Sequence, residues 1–374
     1  MSDWLPHCPQ PPDWRIDWPA IEATFPSVRA LAGWVQDAVH HAEGDVLTHT
    51  RLVGEAMATL PDFRTLPQGE RAILFAAALL HDVAKPACTR YEPDGRITAR
   101  GHARRGAIAA RAILWRLGVP FAERERVAAL VRWHMVPFHL IDRPDSRRLA
   151  ITVSQTTRCD RLALLARADA RGRVAADRDR LLDNVALFAE YCQEQGCLTA
   201  PYPFPSDHAR FRYFRDPGRD PDYAAHDDTR CEVTLLSGLP GAGKDHWLRA
   251  HLPDRPVISL DALRAELGVV PTEPQGSVIA RARGLAREHL RAGRDFAWNG
   301  TNLSRELRNQ SIGLFVSYNA RVRIVYLESP AARLWRQNRA RSAPVPEAVI
   351  ERLLSRWEVP DRTEAQRVDW IVQA

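Results

Sequence analysis

Two sets of residues in this 374-residue chain have the types and spacing for phosphate chemistry, one in each half. The first is His49, the adjacent pair His81-Asp82, His102, His134 and Asp169. An adjacent His-Asp pair at a helix end can offer one metal ion two side-chain ligands. His49 upstream and Asp169 downstream complete that ion's protein ligands, and His102 and His134 are spaced to serve a second. Imidazole mixed with carboxylate favours transition metals over magnesium, so one or two divalent transition-metal ions are expected. Two such ions can clamp a phosphate and supply the attacking water in line. Lys85, one turn beyond the pair, is placed to bind a phosphate oxygen. His7, His40, His41 and His139 read as structural or solvated.

The second set is Gly238-Leu-Pro-Gly241-Ala-Gly243-Lys244-Asp245, directly after the strand-like run Val233–Ser237. Gly238, Gly241 and Gly243 let backbone amides curl around a phosphate. Lys244 is placed to reach the β- and γ-phosphates of ATP. The last position usually carries Ser or Thr, whose hydroxyl binds Mg²⁺; here it is Asp245. A carboxylate is also a hard oxygen ligand. The run ending at Asn299 offers an amide where many such kinases have Asp, so Asp245 is expected to supply the anionic metal contact that Asn299 cannot. Asp261 sits at the carboxyl end of the strand-like run Pro256–Leu260, with Arg264 one turn later. Ligands bind at such strand ends in open α/β sheets. Asp261 can accept the proton of an attacking hydroxyl there, and Arg264 can hold a phosphate of the acceptor. A plain helix cap is the other reading of Asp261. Arg333, Arg336, Arg339 and Arg341 then follow with little acid between them. They suit a lid over transferring phosphates, or else form a solvated basic face.

The elements that must position these residues differ between the halves. Residues 1–27, rich in Pro and Trp, read as a wrapping arm. From 28 to 198 the chain reads as successive helices. The run Ala72–His81 is apolar almost throughout, which suits a central buried helix. Ala103–Leu117, Ala122–His134 and Arg158–Ala170 carry apolar residues at three- and four-residue spacing. Residues 199–230, dense in Pro, Asp, Arg and aromatics, read as a linker. From 231 to 374, strand-like runs at 232–236, 256–260, 295–299 and 322–328 alternate with helices, as in a parallel α/β sheet.

Six cysteines are scattered with no Cys-x-x-Cys pair, which argues against a zinc knuckle or redox centre and for reduced, structural thiols. The net charge of +6 allows a polyanionic partner without demanding one. No secretory signal is visible at the N-terminus. The longest plain apolar run, Ala72–Leu80, is far short of the ~20 residues that cross a bilayer, so a cytoplasmic protein with no membrane partner is expected.

The first half resembles the HD phosphohydrolase superfamily, through Leu79-Leu-His-Asp-Val-Ala-Lys85, Gly101-His102, Leu130-Val-Arg-Trp-His134 and Arg167-Ala-Asp169-Ala-Arg-Gly172. Within it, the resemblance is to the HD domain of bacterial CCA-adding enzymes. It implies hydrolysis of phosphomonoesters and 2′,3′-cyclic phosphodiesters. The second half resembles P-loop polynucleotide kinases. That likeness implies that Asp261 is the general base, that Arg264 contacts the acceptor phosphate, that Arg336 and Arg339 hold ATP, and that the Ala343–Pro346 stretch leaves a lid. The order of the halves resembles the bacterial fusions called HD-Pnk, and so implies RNA end healing beside a separate ligase, with DNA ends as a further acceptor class. The expected fold is therefore an all-α HD domain followed by an α/β P-loop kinase with a parallel sheet and helical lid. A nucleoside or other small-molecule kinase fused to a nucleotidase is the alternative. Phe204–Arg215 also looks like the HD-Pnk group; its aromatics and arginines suit base stacking or packing between domains.

Overall fold

The apolar run Ala72–Leu80 closes a helix, Gln68–Leu80, and every residue of the run is buried. In the computed structural model, which describes residues 4–270, 273–340 and 344–373, that helix lies inside a helical unit of residues 1–203. The labelled helices of this unit are α1 (Trp18–Thr24), α2 (Val46–Thr59), α3 (Gln68–Leu80), α4 (His102–Arg116), α5 (Phe121–Trp133), α6 (Ser146–Ser154), α7 (Cys159–Arg171) and α8 (Arg178–Glu194). A short hairpin, Arg90–Tyr91 with Ile97–Thr98, lies between α3 and α4. Helices α2, α5 and α7 pack on α3, and α4 lies along α5. The residue after α7 shows how close the packing is. A Cβ on Gly172 would meet the Val53 amide nitrogen at 2.7 Å, so only glycine lets the end of α7 approach α2. The N-terminal arm is anchored by Trp14, which meets Phe63 edge-on and lies beneath the guanidinium groups of Arg64 and Arg71.

The second unit spans residues 204–374. It opens with α9 (Asp207–Arg215), capped by Ser206, whose hydroxyl accepts from the Ala209 amide. The expected 199–230 linker thus contains a helix whose Phe211 enters the core of this unit. Phe204, Tyr213 and Phe214 form a ring cluster, and Arg210 donates to the carbonyls of Arg362 and Gln366. These contacts give the aromatic–arginine segment a packing role within its own unit.

Then come β1 (Cys231–Ser237), α10 (Lys244–His251), β2 (Val257–Ser259), α11 (Leu260–Leu267), α12 (Gly276–Arg291), β3 (Phe296–Asn299), α13 (Arg305–Val316), β4 (Ala320–Glu328), α14 (Ala331–Arg339), α15 (Glu347–Leu354) and β5 (Arg367–Val372). The sheet is parallel throughout, in the order β2-β3-β1-β4-β5. Val233 pairs with Phe296 on one side and Val322 on the other, which centres β1 and buries it almost completely. The carboxyl ends of β1, β2 and β3 therefore lie side by side, each leading into one of the predicted catalytic segments.

Candidate active sites

In the helical unit, five helices deliver the predicted ligands. His49 lies in the first turn of α2, which Asp45 caps through the Thr48 amide. His81 ends α3 and Asp82 follows it; His102 opens α4; His134 ends α5; Asp169 lies on α7. All six come together, and all but His102 are almost wholly buried. His49 Nε2 is 3.3 Å from His81 Nε2 and 3.2 Å from Asp169 Oδ1. His81 Nε2 is 3.1 Å from Asp82 Oδ2. On the other side, Asp82 Oδ1 is 3.4 Å from His102 Nε2 and 3.9 Å from His134 Nε2, and those two nitrogens are 3.1 Å apart.

The tautomers follow from the outer nitrogens. His81, His102 and His134 each place Nδ1 2.8 Å from a carbonyl three residues back, on Ala78, Ala99 and Val131. A carbonyl only accepts, so each Nδ1 carries a proton, and whenever the ring is neutral its Nε2 presents a bare lone pair. Two lone pairs facing one another at hydrogen-bond distance repel unless a cation lies between them. Asp82 Oδ1, fully buried, also has no hydrogen-bond donor among the described residues. Converging imidazole lone pairs and an orphaned carboxylate oxygen are a donor set that fits divalent transition metals. His49-His81-Asp82 and Asp82-His102-His134 are each close enough to hold one ion, and Asp82 offers one oxygen to each.

Electrostatics agree with this arrangement. Burial alone would raise the pKa of Asp82, but the charges of His81 and Lys85 overturn that and hold it well below the carboxylate range. Asp169 is likewise held well below against burial, chiefly by Arg173. Burial pushes His134 down to about 3, helped by the neighbouring His102 and His81, which keeps it neutral. His102 is lowered by burial too.

Glu43, Gln36 and Arg173, which border the cluster, have no counterpart in the sequence reading. Glu43 Oε1 lies 2.8 Å from both His49 Nδ1 and His41 Nδ1, and its other oxygen accepts from the Val174 amide. His41, expected to be structural or solvated, is therefore buried against the cluster. Arg173 grips Asp169 with two parallel bonds of 2.9 and 3.0 Å. Lys85 is buried; its ammonium is 2.7 Å from Asp82 Oδ2 and 2.5 Å from Gln36 Oε1. As it stands, Lys85 neutralises Asp82. Of Glu43, Gln36 and Arg173, only Arg173 lies close in sequence to a predicted ligand, four residues beyond Asp169 and just past the end of α7.

In the second unit, Gly238, Gly241 and Gly243 have φ of +150°, +85° and +89°. A Cβ on Gly238 would lie 2.3 Å from the Leu327 carbonyl oxygen, so the loop passes hard against β4. The Gly238 amide donates to Thr301 O, and the side chains of Ser237 and Asn302 tie the strand end to the same segment. Lys244 opens α10 and folds back, donating to Gly238 O and Leu239 O at 2.9 and 3.0 Å. It thus lies along the curl of the loop. Asp245 and Asn299 touch: the amide of Asn299 donates to Asp245 Oδ1 at 2.6 Å, and Asn299 Oδ1 is buried with no hydrogen-bond partner among the described residues.

Asp261 lies in the first turn of α11 with its side chain 89% exposed. Ser259, not Asp261, caps that helix by accepting from the Ala262 amide, so the plain-cap reading of Asp261 fails. Arg264 pairs with Asp261 and also donates to Gln275 at 2.6 Å. Arg336 and Arg339 are exposed in the last turn of α14. With its amide oriented to suit both neighbours, Gln337 of the same helix donates to Gly241 O at 3.0 Å and accepts from Arg333. The tip of the loop thus touches α14. Arg341 and Ala343, the remaining predicted lid positions, lie outside the described residues.

Residues 46–171 match the HD domain family, and residues 233–360 match the AAA domain family. The chain is an HD domain joined to a kinase-like P-loop domain. That order fits the HD-Pnk architecture. HD domains are metal-dependent, and P-loop kinases use ATP with Mg²⁺, so the chain has the parts of a phosphohydrolase and a phosphotransferase. The HD-domain likeness extends to tRNA nucleotidyltransferases. An A-adding tRNA nucleotidyltransferase from Deinococcus radiodurans is 38% identical over 31% of this chain and 25% of its own length. A multifunctional CCA protein from Halorhodospira halophila is similar to the same extent. A CC-adding tRNA nucleotidyltransferase from Thermus thermophilus is 53% identical over 16% of this chain and 14% of its own. The chain thus spans a quarter or less of the length of these relatives. A solved structure of a candidate kinase from Chloroflexus aurantiacus j-10-fl is 17% identical over 39% of this chain and 86% of that one, with a TM-score of 0.33, too weak a likeness to bear on function. No described helix is long and apolar enough to cross a membrane.

Proposed function

We propose that the chain heals RNA ends. In this reading the HD domain opens a 2′,3′-cyclic phosphate and removes the resulting 2′- or 3′-phosphate. The second unit transfers the γ-phosphate of ATP to the 5′-hydroxyl of the other end, and a separate ligase can then seal. The observation that carries the reading is the pairing, in one chain, of two residue sets suited to phosphate chemistry. One is a buried cluster of six converging donors; the other is a P-loop flanked by a carboxylate at the next strand end.

In the HD domain, His49, His81, Asp82 and Asp169 would hold one metal, and Asp82, His102 and His134 a second. When bound, such ions supply Lewis acidity at the phosphoryl group and acidify a water. The protein fixes each Nε2 by binding the opposite ring nitrogen to a carbonyl, and sets Asp169 through Arg173. Lys85 tempers the charge of Asp82 before it meets a phosphate. No covalent enzyme intermediate is needed.

In the kinase domain, Lys244 exchanges its two loop carbonyls for the β- and γ-phosphates of ATP. Asp245 would hold Mg²⁺, and Asn299 sets the orientation of its carboxylate. Asp261 takes the proton of the 5′-hydroxyl as it attacks, and Arg264 holds both Asp261 and an acceptor phosphate. Arg336 and Arg339 lend positive charge to the transferring group.

The test is one RNA bearing a 2′,3′-cyclic phosphate and a 5′-hydroxyl, incubated with ATP and a panel of divalent metals, each terminus being read separately. Both ends should change. His81→Ala should abolish the hydrolysis and spare the phosphorylation, and Lys244→Ala should do the reverse. A DNA copy of the strand tests the breadth of the acceptor. Phosphorylation of free nucleosides, with the oligonucleotide untouched, would replace this reading by the small-molecule kinase.

A further inference from the structure

The six cysteines are all buried, and three of them meet. Cys159 is the first residue of α7, Cys192 lies in the last turn of α8, and Cys197 follows the turn at Gly196. Helices α7 and α8 pack together, and the turn is stitched to both. The Cys197 amide donates to Cys192 O at 2.8 Å, and the Asp160 amide donates to Leu198 O at 3.0 Å. The three sulfurs all lie within 4.8 Å of one another, and each of the three residues is 0% exposed. Asp169 lies ten residues further along α7, about 15 Å at the helical rise, so this cluster is separate from the histidine–aspartate cluster.

We propose that Cys159, Cys192 and Cys197 form a site for one soft monovalent d¹⁰ cation of the Cu(I) class. Three convergent thiols are the donor set that selects soft ions. Structural zinc would need a fourth ligand. No His, Asp, Glu or further Cys among the described residues joins the cluster. The nearby Ser154 hydroxyl donates to Ile151 O and accepts from the Tyr202 amide, so it is already committed. A trigonal three-sulfur cation fits that inventory. Its negative charge is offset by the positive end of the α7 dipole, where Cys159 is the first residue.

Binding forms three metal–sulfur bonds, breaks the S–H bond of each thiol that is still protonated and releases those protons to water, with no change of oxidation state. Apparent affinity should therefore rise with pH.

The experiment is an anaerobic titration of the full-length protein with Cu(I) held by a competing chelator. The readouts are sulfur-to-copper charge transfer in the near ultraviolet and the luminescence of buried Cu(I) thiolates. One equivalent is expected. The signal should be lost in Cys192→Ser and in Cys197→Ser and kept in Cys231→Ser, each first checked by circular dichroism and thermal melting. Histidines cannot give this band, so copper at the histidine–aspartate cluster does not mimic it. X-ray absorption on the wild-type protein covers the case in which a serine variant fails to fold. A shell of three sulfurs is the expected result. Copper left on the chelator, a nitrogen shell, or a band that survives in both serine variants would overturn the site.

Discussion

Replacing Gly238 with alanine tests whether the phosphate loop owes its shape to steric closeness. A Cβ there would meet the Leu327 carbonyl oxygen at 2.3 Å, where an unstrained carbon–oxygen contact is about 3.3 Å or more. Neither side can yield easily. Leu327 lies on β4, paired with Ile371 on β5, and the Gly238 amide is bound to Thr301 O. The loop must therefore move by about 1 Å. The backbone at φ +150° adds strain of ~1–3 kcal/mol, and overpacking costs a further ~1–3 kcal/mol. The sum, ~2–6 kcal/mol, lowers the melting temperature of a unit this size by roughly 5–20 °C. Displacing the amides by that distance should also weaken ATP binding, by about 100-fold if every amide is misplaced. Gly241→Ala is the matched control. Its φ is +85°, but the added carbon meets nothing within 4 Å. Backbone strain alone, ~1–2 kcal/mol, predicts a loss of only roughly 2–8 °C. Differential scanning calorimetry and equilibrium dialysis with ATP measure both effects. The reasoning fails if Gly238→Ala melts with the wild type, or if the two variants are destabilised equally.

Glu43→Ala removes the partner of His49 Nδ1, so metal affinity at the histidine–aspartate cluster should fall by about 10–100-fold; calorimetric titration of chelator-stripped protein decides, and unchanged affinity refutes it. In metal-stripped protein, burial holds His134 at about 3 and His41 at about 4, below the ordinary 6.5. As pH falls below 6.5 the unfolded chain takes up these two protons and the fold does not, so stability present above 6.5 is lost on acidification. Two groups give a slope of about 2.7 kcal/mol per pH unit between roughly pH 6 and 5, read by urea unfolding. The raised pKa of His81 acts above 6.5 and does not cancel this; a flat profile would refute the neutral-histidine assignment. Asp245→Ser should raise the Mg²⁺ concentration needed for phosphoryl transfer, and an unaltered Mg²⁺ dependence would remove Asp245 from the metal's surroundings.

What is legible in this sequence, and what is not, divides by the range of the interaction. His81-Asp82 and Gly238–Asp245 each place several donors within a few residues of one helix end, so local geometry alone nearly builds them. The strands at 232–236 and 322–328 are mostly apolar, through Val233, Leu235 and Leu236 and through Val322 and Ile324–Leu327, and they appear as β1 and β4. Strand β5 was missed because it lies at the sheet edge, where Arg367 and Asp369 interrupt the apolar pattern. The density of Pro and Asp around α9 likewise hid a helix, although Ser206 marks its start and Phe211 faces the core. Glu43 and Gln36 carry no signal at all. They lie on the loop before α2, and they reach His49 and Lys85 only once the helices have assembled.

The cysteines make the same point in its sharpest form. Absence of a Cys-x-x-Cys pair excludes a site built within one turn, and nothing more. Cys159 is separated from Cys192 by the whole of a helical hairpin, and packing α7 along α8 returns the start of one to the end of the other. A spacing rule registers only donors that share an element. Donors at the two ends of a hairpin become neighbours through the packing between its helices, whose buried apolar residues include Leu162, Leu165 and Ala166 on α7 and Val185 and Phe188 on α8. The sulfur cluster is thus encoded in the hydrophobic periodicity of two helices, and it should survive any substitution that keeps that interface and vanish with one that does not.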